Sequence, residues 1–355
     1  MIIYLKKLQI CLGVKNKMKI MITGITGFIG SYLAEYILSK HPSCEVYGMS
    51  RWRSPKDNLI NIYNKVHLFD ADLLDLGSLI RKIKEIKPDQ IYHLAAASYV
   101  LTSYNSPGNT LWTNVIGANN LYDAIRILRD EDPSFNPKIL TITSSEVYGQ
   151  VDPDNVPITE DCPLNPASPY GVSKVAEDLL ALEYWNSHKI RNVRIRNFTT
   201  TGPRRGDVFF VSAFAKQVAA IDFAMQEPII NVGNLNSVRT ICDVRDMVKA
   251  YYLAMKYGKV GDVYNIGGNA TMTVGEYLFL MLELVFGKGK KPVIHIDPQL
   301  LRPADVTLQI PCIDKFLEIT DWEPKISVDK TLLDTVDYWK DELIKNPWKL
   351  NTLIK

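Results

Sequence analysis

Between Met18 and Arg196, short β-branched runs alternate with longer segments of helical periodicity, and no other property of the chain restricts its fold so strongly. The runs are KIMIT (19–23), EVYGM (45–49), VHLFD (66–70), QIYHLAA (90–96), KILTITS (138–144) and NVRIR (192–196). Helices are predicted over 28–39, 108–128 and 169–187. Strands joined by helical crossovers run parallel, and a parallel sheet is covered by helices on both faces. The first lobe therefore reads as a doubly wound parallel sheet of the α/β class.

Beyond Arg196 the rhythm loosens. Helices are expected over 209–226, 243–258, 273–286 and 330–345, with strands at PIINVG, VYNIGG and PVIHI. The segment 238–266 is expected to return to the large sheet of residues 18–198. Residues 199–237 and 267–345 are left for a smaller α/β substrate-binding lobe. Residues 1–17 carry an apolar patch split by Lys6 and Lys7 without a small-residue cleavage site. They read as an appendage, or as an upstream start preceding Met18, rather than a targeting signal.

Charge and cysteine content narrow the function. The formal charge is +2, with no basic stripe interleaved with aromatics, so small molecules rather than nucleic acid are expected. Five cysteines, at 11, 44, 162, 242 and 312, are odd in number and contain no C-x-x-C pair. That argues against a disulfide framework and a zinc site and for a reducing cytoplasm. No apolar run reaches the ~18 residues of a membrane span.

KIMITGITGFIGSYLAEYIL places Gly24, Gly27 and Gly30 directly after a strand and at the mouth of a helix. Backbone without Cβ can approach a pyrophosphate closely, and the helix N-terminus favours its charge. A dinucleotide is the expected ligand. The second strand ends in GMSRWRS, where Arg51 and Arg53 would favour a 2′-phosphate, hence NADP over NAD. Asp72 could meet the adenine amine or cap the helix that follows.

Tyr170 and Lys174 stand four residues apart and share one face of a helix, where the ammonium lowers the phenol's pKa and makes it a base near neutrality. Ser144 ends a strand on the side where open α/β sheets hold ligands, and Glu146 follows it.

TGxxGFxG, HLAAAS, TNVIG, SSEVYG and YxxxK, in that order, resemble the extended short-chain dehydrogenase/reductase superfamily. The likeness runs from Met18 to about Trp339. SSEVYG, GPRRGDVF, VGNLNSVRTICDVRDM and LRPADV are most similar to the GDP-mannose 4,6-dehydratases and the GDP-4-keto-6-deoxymannose reductases. For a dehydratase the resemblance implies that Tyr170 takes the sugar's 4-hydroxyl proton while hydride passes from C4 to NADP⁺. Glu146 then removes the C5 proton and helps expel the C6 hydroxyl as water, and the hydride returns to C6. Ser144 would hydrogen-bond the reacting oxygen, and Lys174 would bind the nicotinamide ribose.

The resemblance also implies cofactor contacts at Thr26, Phe28, Ile29, Leu73, Leu94, Ala95 and Ala96. It implies nucleotide-sugar contacts at Ser98, Ser145, Thr199, Lys216 and Asn234. Arg205, Arg239 and Arg302 would hold the diphosphate, because the guanidinium fork binds paired oxygens. Family dehydratases usually read FNHESPRRG where this chain has NFTTTGPRRG, so Thr199 and Thr200 replace an Asn and a His. Thr240 and Asp321 are further departures, and the sugar stays open.

The rival reading is the NADPH-consuming reductase, which keeps Ser-Tyr-Lys; PRRG favours the dehydratase. A non-catalytic scaffold would be expected to lose Tyr170 or Lys174. Apolar residues on more than one face of the helices over 111–128 and 170–185 predict a homodimer or homotetramer.

Overall fold

The structure, a computed structural model, describes residues 17–289 and 291–352. The expectation for residues 1–17 falls, up to residue 16, outside the described residues. The first lobe runs β1 (Lys19–Thr23), α1 (Phe28–Lys40), β2 (Glu45–Ser50), β3 (Val66–Asp70), α2 (Leu76–Ile86), β4 (Gln90–His93), α3 (Val100–Asn105), α4 (Pro107–Leu111), α5 (Gly117–Glu131), β5 (Lys138–Ile142), α6 (Pro169–His188) and β6 (Asn192–Asn197). Then follow β7 (Thr200–Thr201), α7 (Phe210–Asp222), β8 (Ile229–Val232), β9 (Val238–Asp243), α8 (Val244–Tyr257), β10 (Val263–Ile266), β11 (Ala270–Thr273), α9 (Val274–Phe286), β12 (Val293–Ile296), β13 (Leu308–Gln309), α10 (Asp314–Leu317) and α11 (Val328–Lys345).

Seven parallel strands form one sheet in the order β10-β6-β5-β4-β1-β2-β3. The order reverses between β1 and β4, the switch point at which an open sheet leaves a crevice beyond its strand ends. Ile20, Ile22, Leu140 and Ile195 pack with α1 and α8 in one core. Met21, Ile91 and Ile139 face the other way, against α2, α5 and α6. Burial on both faces explains why these strands read as near-continuous apolar runs.

The strands predicted at QIYHLAA and KILTITS stop early, at His93 and Ile142, because the chain turns there into the crevice. The predicted helix over 108–128 is broken by a π turn at Trp112–Ile116. Asn114 in that turn accepts from the Ala97 N–H at 2.7 Å and donates to Ser173 Oγ at 2.9 Å. The π turn thereby ties the chain leaving β4 to α6. Such turns interrupt helices mostly where a side chain is being aimed.

Residues 238–266 divide between two sheets. β10 joins the large sheet beside β6, whereas β9, read only as part of a motif, centres a small sheet with β11 and β13 and also pairs β7. The second lobe closes over α7, α9 and α11 around Phe214, Leu278 and Trp339. Among the described residues no helix is long and apolar enough to cross a membrane.

Candidate active site

A cleft of ≈ 590 Å³ opens at the switch point, between the C-terminal ends of the central strands and the second lobe. At one end the turn after β1 lies against the turn after β4. Gly24 has φ +71, and a Cβ there would sit 3.0 Å from the Ala95 backbone. At Gly30 a Cβ would come within 2.2 Å of the Gly24 carbonyl, so only glycine lets α1 start this close to the strand. Gly27 caps α1 without a side-chain hydrogen bond, and no acid occupies the first turn. The helix therefore presents bare N–H groups and positive dipole to the cleft. Ser50 Oγ, at the end of β2, is buried against the cleft with no hydrogen-bond partner among the described residues. An anionic dinucleotide fits this end.

Thr26, Phe28, Ile29, Arg51, Asp72, Leu73, Leu94, Ala95 and Ala96 all line it. Arg53 does not; its guanidinium lies 5.0 Å from the ring centre of the exposed Trp52. Asp72 accepts from the Leu74 N–H at 3.0 Å, and the N-cap of α2 is Asp75, so the capping alternative for Asp72 fails by three residues.

At the middle of the cleft the chain leaving β5 forms a short 3₁₀ turn, Ser145–Val147, capped by Ser144, whose Oγ accepts from the Glu146 N–H at 3.2 Å. α6 starts opposite, where Ser168 accepts from the Gly171 N–H at 3.0 Å. Glu146 therefore caps neither helix; its carboxylate is directed at the cleft, 3.5 Å from Arg302. Ser103 Oγ accepts from the Tyr170 N–H at 3.1 Å, seating the first turn of α6.

Tyr170 and Lys174 share the cleft-facing side of α6, as their spacing predicts. The expectation that Tyr170 titrates near neutrality is corrected. Burial pushes the phenol above its usual range, and Lys174 and the neighbouring Ser144 hydroxyl only partly offset that. Lys174 is itself occupied, donating to Glu177 Oε2 at 2.6 Å and to the Ile142 carbonyl at 3.2 Å. Burial works against the ammonium, but the Glu177 carboxylate outweighs it and holds Lys174 above the ordinary lysine value.

The other end belongs to the second lobe. Arg205 is half-buried, its guanidinium 3.5 Å from the ring centre of Phe209 and 5.2 Å from that of Phe28, and its enclosed Nε has no partner among the described residues. Burial lowers its pKa to about 10, which leaves it cationic at neutral pH. Arg239 and Arg302 approach one carboxylate, Asp305, at 3.5 and 3.8 Å. Ser98, Ser145 and Thr199 line the cleft, although Ser145 Oγ donates to Gln309 Oε1 at 3.0 Å. Asn234 lies instead in an adjoining recess of ≈ 160 Å³, donating to Asp305 at 2.7 Å. Lys216 lines neither space; its Nζ is buried against Asp207 at 2.8 Å.

The residue types, their order and this geometry have a counterpart. A family model described as GDP-mannose 4,6 dehydratase matches residues 21–335. The chain belongs to this family.

Among curated relatives, it is 32% identical over 328 residues to GDP-mannose 4,6 dehydratase 2 of Arabidopsis thaliana, covering 89% of this chain and 85% of that one. It is also 27% identical over 325 residues to the GDP-6-deoxy-D-mannose reductase of Pseudomonas aeruginosa, covering 92% and 98%. Among solved structures it is similar to RMD from Pseudomonas aeruginosa complexed with NADPH, at TM-score 0.76, 26% identity and coverage of 92% and 100%. A dTDP-glucose 4,6-dehydratase of Bacillus anthracis in complex with NAD matches at TM-score 0.79, 25% identity and coverage of 93% and 98%.

The sequence reading missed Glu177, His93 and Gln309. Glu177 had a signal, the i, i+3 spacing from Lys174. Gln309 had none, because it reaches Ser145 from 164 residues away.

Proposed function

We propose that the protein is a nucleotide-sugar 4,6-dehydratase acting on GDP-mannose or a related GDP-hexose. The observation that carries this reading is the carboxylate of Glu146, set in the cleft beside Ser144 and Tyr170 without a helix to cap. A simple alcohol oxidation needs only a base for the hydroxyl proton, whereas elimination needs a second acid–base group near C5 and C6.

NADP, when bound, supplies the hydride acceptor at C4 and the donor at C6. The glycine turn and the N-terminus of α1 would hold its pyrophosphate, and Arg51 its 2′-phosphate. Tyr170 takes the proton from the sugar's 4-hydroxyl. It does so as the phenolate, the form that Lys174 and the Ser144 hydroxyl favour and that burial opposes. Ser144, beside Tyr170 in the cleft, steadies the developing carbonyl oxygen. Glu146, oriented by Arg302, receives the C5 proton and returns one to the C6 hydroxyl so that it departs as water. Arg205, Arg239 and Arg302 hold the diphosphate, and the rings of Phe28 and Phe209 flank Arg205.

The second reading is a 4-keto-sugar reductase, the activity named for the Pseudomonas aeruginosa relative. One assay separates the two. GDP-mannose with catalytic NADP⁺ should yield a 4-keto product lighter by one water. Stoichiometric consumption of NADPH on a 4-keto substrate, with no water lost from GDP-mannose, would overturn the dehydratase reading.

We also infer a homo-oligomer. Trp112, Val172 and Leu179 are exposed on the π turn and α6. Light scattering at micromolar concentration should give at least a dimer. The four described cysteines are all free, in keeping with a reducing cytoplasm.

A further inference from the structure

Behind Lys174, away from the cleft, lies a buried polar cluster that the proposed reaction does not use. Glu177, on the next turn of α6, is 1% exposed and His93, at the end of β4, is 1% exposed. Glu177 accepts from Lys174 Nζ at 2.6 Å, and its other oxygen lies 3.6 Å from His93 Nε2. His93 Nδ1 is 2.9 Å from Thr23 Oγ1, which also accepts from the Leu94 and Ala95 N–H groups, each at 3.1 Å. A hydroxyl accepting twice has its own proton left for Nδ1, which assigns the ring proton to Nε2, facing Glu177. The cluster therefore links the glycine-turn strand β1, through β4, to the working face of α6.

An ammonium has three N–H bonds. Glu177 and the Ile142 carbonyl take two of them, and Lys174 lines the cleft with what remains. A lysine without such a brace keeps its rotational freedom and presents its full charge to the neighbouring phenol. Here a carboxylate of opposite charge sits directly behind it.

We propose that Glu177 is a positioning residue for the Tyr170–Lys174 pair: it fixes which N–H bond Lys174 turns to the cleft and tempers the field that Lys174 exerts on Tyr170. The proposal rests on reading Tyr170 and Lys174 as the working pair. The charged and titratable groups around Tyr170 are Lys174 and Glu177 on its own helix, Glu146 and Ser144 from the turn after β5, Arg205 from the loop after β7 and Tyr251 from α8. Around Lys174 and Glu177 they are His93 from β4 and Asp178 on α6. His93 is kept neutral by burial and by Lys174, so it adds a dipole but no charge. Asp178 is committed elsewhere, to Arg194 at 2.6 Å and Arg196 at 3.0 Å. Glu177 is thus the group in direct contact that offsets the lysine.

The test is the titration of Tyr170 in full-length protein labelled with ¹³C at tyrosine Cζ, read by NMR without substrate, with Tyr170→Phe assigning the signal. Glu177→Gln keeps the size and an acceptor oxygen while removing the charge. It should move the Tyr170 midpoint down by about one pH unit, the scale set by a nearby charge. The acid limb of single-turnover NADP⁺ reduction should move the same way. An unchanged or raised midpoint in folded Glu177→Gln protein would overturn the proposal, since a merely structural acid would leave it in place.

Should that variant not fold, the parent itself decides. The ¹⁵Nζ signal of Lys174, assigned by its loss in Lys174→Arg, should stay protonated beyond the ordinary lysine value, and titration at or below that value would overturn the proposal. Both NMR readouts are made without turnover. A parent enzyme that consumes NADPH stoichiometrically would remove the dehydratase reading and leave this one standing.

Discussion

At the floor of the cleft Lys174 sits 2.6 Å from a carboxylate and in reach of a backbone carbonyl, whereas at its mouth Arg205 lies between two aromatic rings with its Nε unpartnered among the described residues. Lys174 is buried and Arg205 half-buried with its Nε enclosed, so both have lost hydration. The floor replaces that hydration from within the fold. The mouth does so only in part, because Arg239 and Arg302 approach the same Asp305. A buried cation whose partners are internal is held in place for what it does to a neighbour. One without an anionic partner among the described residues is suited to an anion from outside, the role proposed above for a diphosphate.

The largest expected effect separates the two regions by stability. Lys174→Met should leave Glu177 buried and uncompensated and cost about 3–5 kcal/mol, seen as a fall in urea midpoint. Arg205→Met should leave that midpoint level or raised, because it removes a half-buried cation with no carboxylate partner among the described residues. Equal losses in both would erase the distinction.

The same Arg205→Met variant should instead weaken nucleotide-sugar binding. Losing hydrogen bonds to a charged group is worth about 1.5–3 kcal/mol, or roughly 10–150-fold in Kd by titration calorimetry. A Kd within twofold of the parent would remove Arg205 from the site.

Acid should open the floor before the mouth. Burial, reinforced by Lys174, lowers the His93 pKa to about 3, whereas unfolded histidine titrates near ~6.5. The unfolded state therefore binds the extra proton first. The contribution of neutral His93 is complete above ~6.5 and is lost progressively as pH falls toward 3. His93→Asn should flatten the slope of stability against pH between about 5 and 6.5; an unaltered slope would show that His93 is not the group responsible.

The smallest effect concerns the cofactor's phosphate. Arg51 lines the cleft and Arg53 rests on Trp52. Arg51→Ala should reduce the preference for NADPH over NADH by about tenfold in fluorescence titrations, the worth of one charged hydrogen bond. Arg53→Ala should change it by less than about threefold, and the reverse order would place the 2′-phosphate on Arg53.

The first lobe was largely legible in the chain because its central strands β1, β4 and β5 are mostly apolar on both faces and most of its crossovers carry an α-helix. Local rules therefore sufficed, and the glycine turn, Tyr170 and Lys174 fall where their spacing puts them. What the chain concealed depends on distance in sequence or on burial. β9 is a strand with polar residues, Arg239 and Thr240, whose pairing with β11 and β13 is set by the second lobe. Lys216 looks like an anion ligand in sequence, but α7 turns it inward onto Asp207. The i, i+4 rule signals that Lys174 stands on the same face of the helix as Tyr170. It cannot signal that burial opposes the lysine's effect on the phenol or that Glu177 stands behind the lysine.

The central claim is that Glu146 performs the elimination while Tyr170 and Lys174 serve the oxidation at C4. Glu146→Gln, which keeps the size and loses the base, incubated with GDP-mannose and NADP⁺ and followed by absorbance and product mass, tests it most directly. The account predicts retained reduced cofactor, a 4-keto sugar that still carries its 6-hydroxyl, and water loss slowed by ~10²-fold or more. Tyr170→Phe should reduce no cofactor. Formation of the 6-deoxy-4-keto product at the parental rate by Glu146→Gln would contradict the account and leave Glu146 no part in the chemistry.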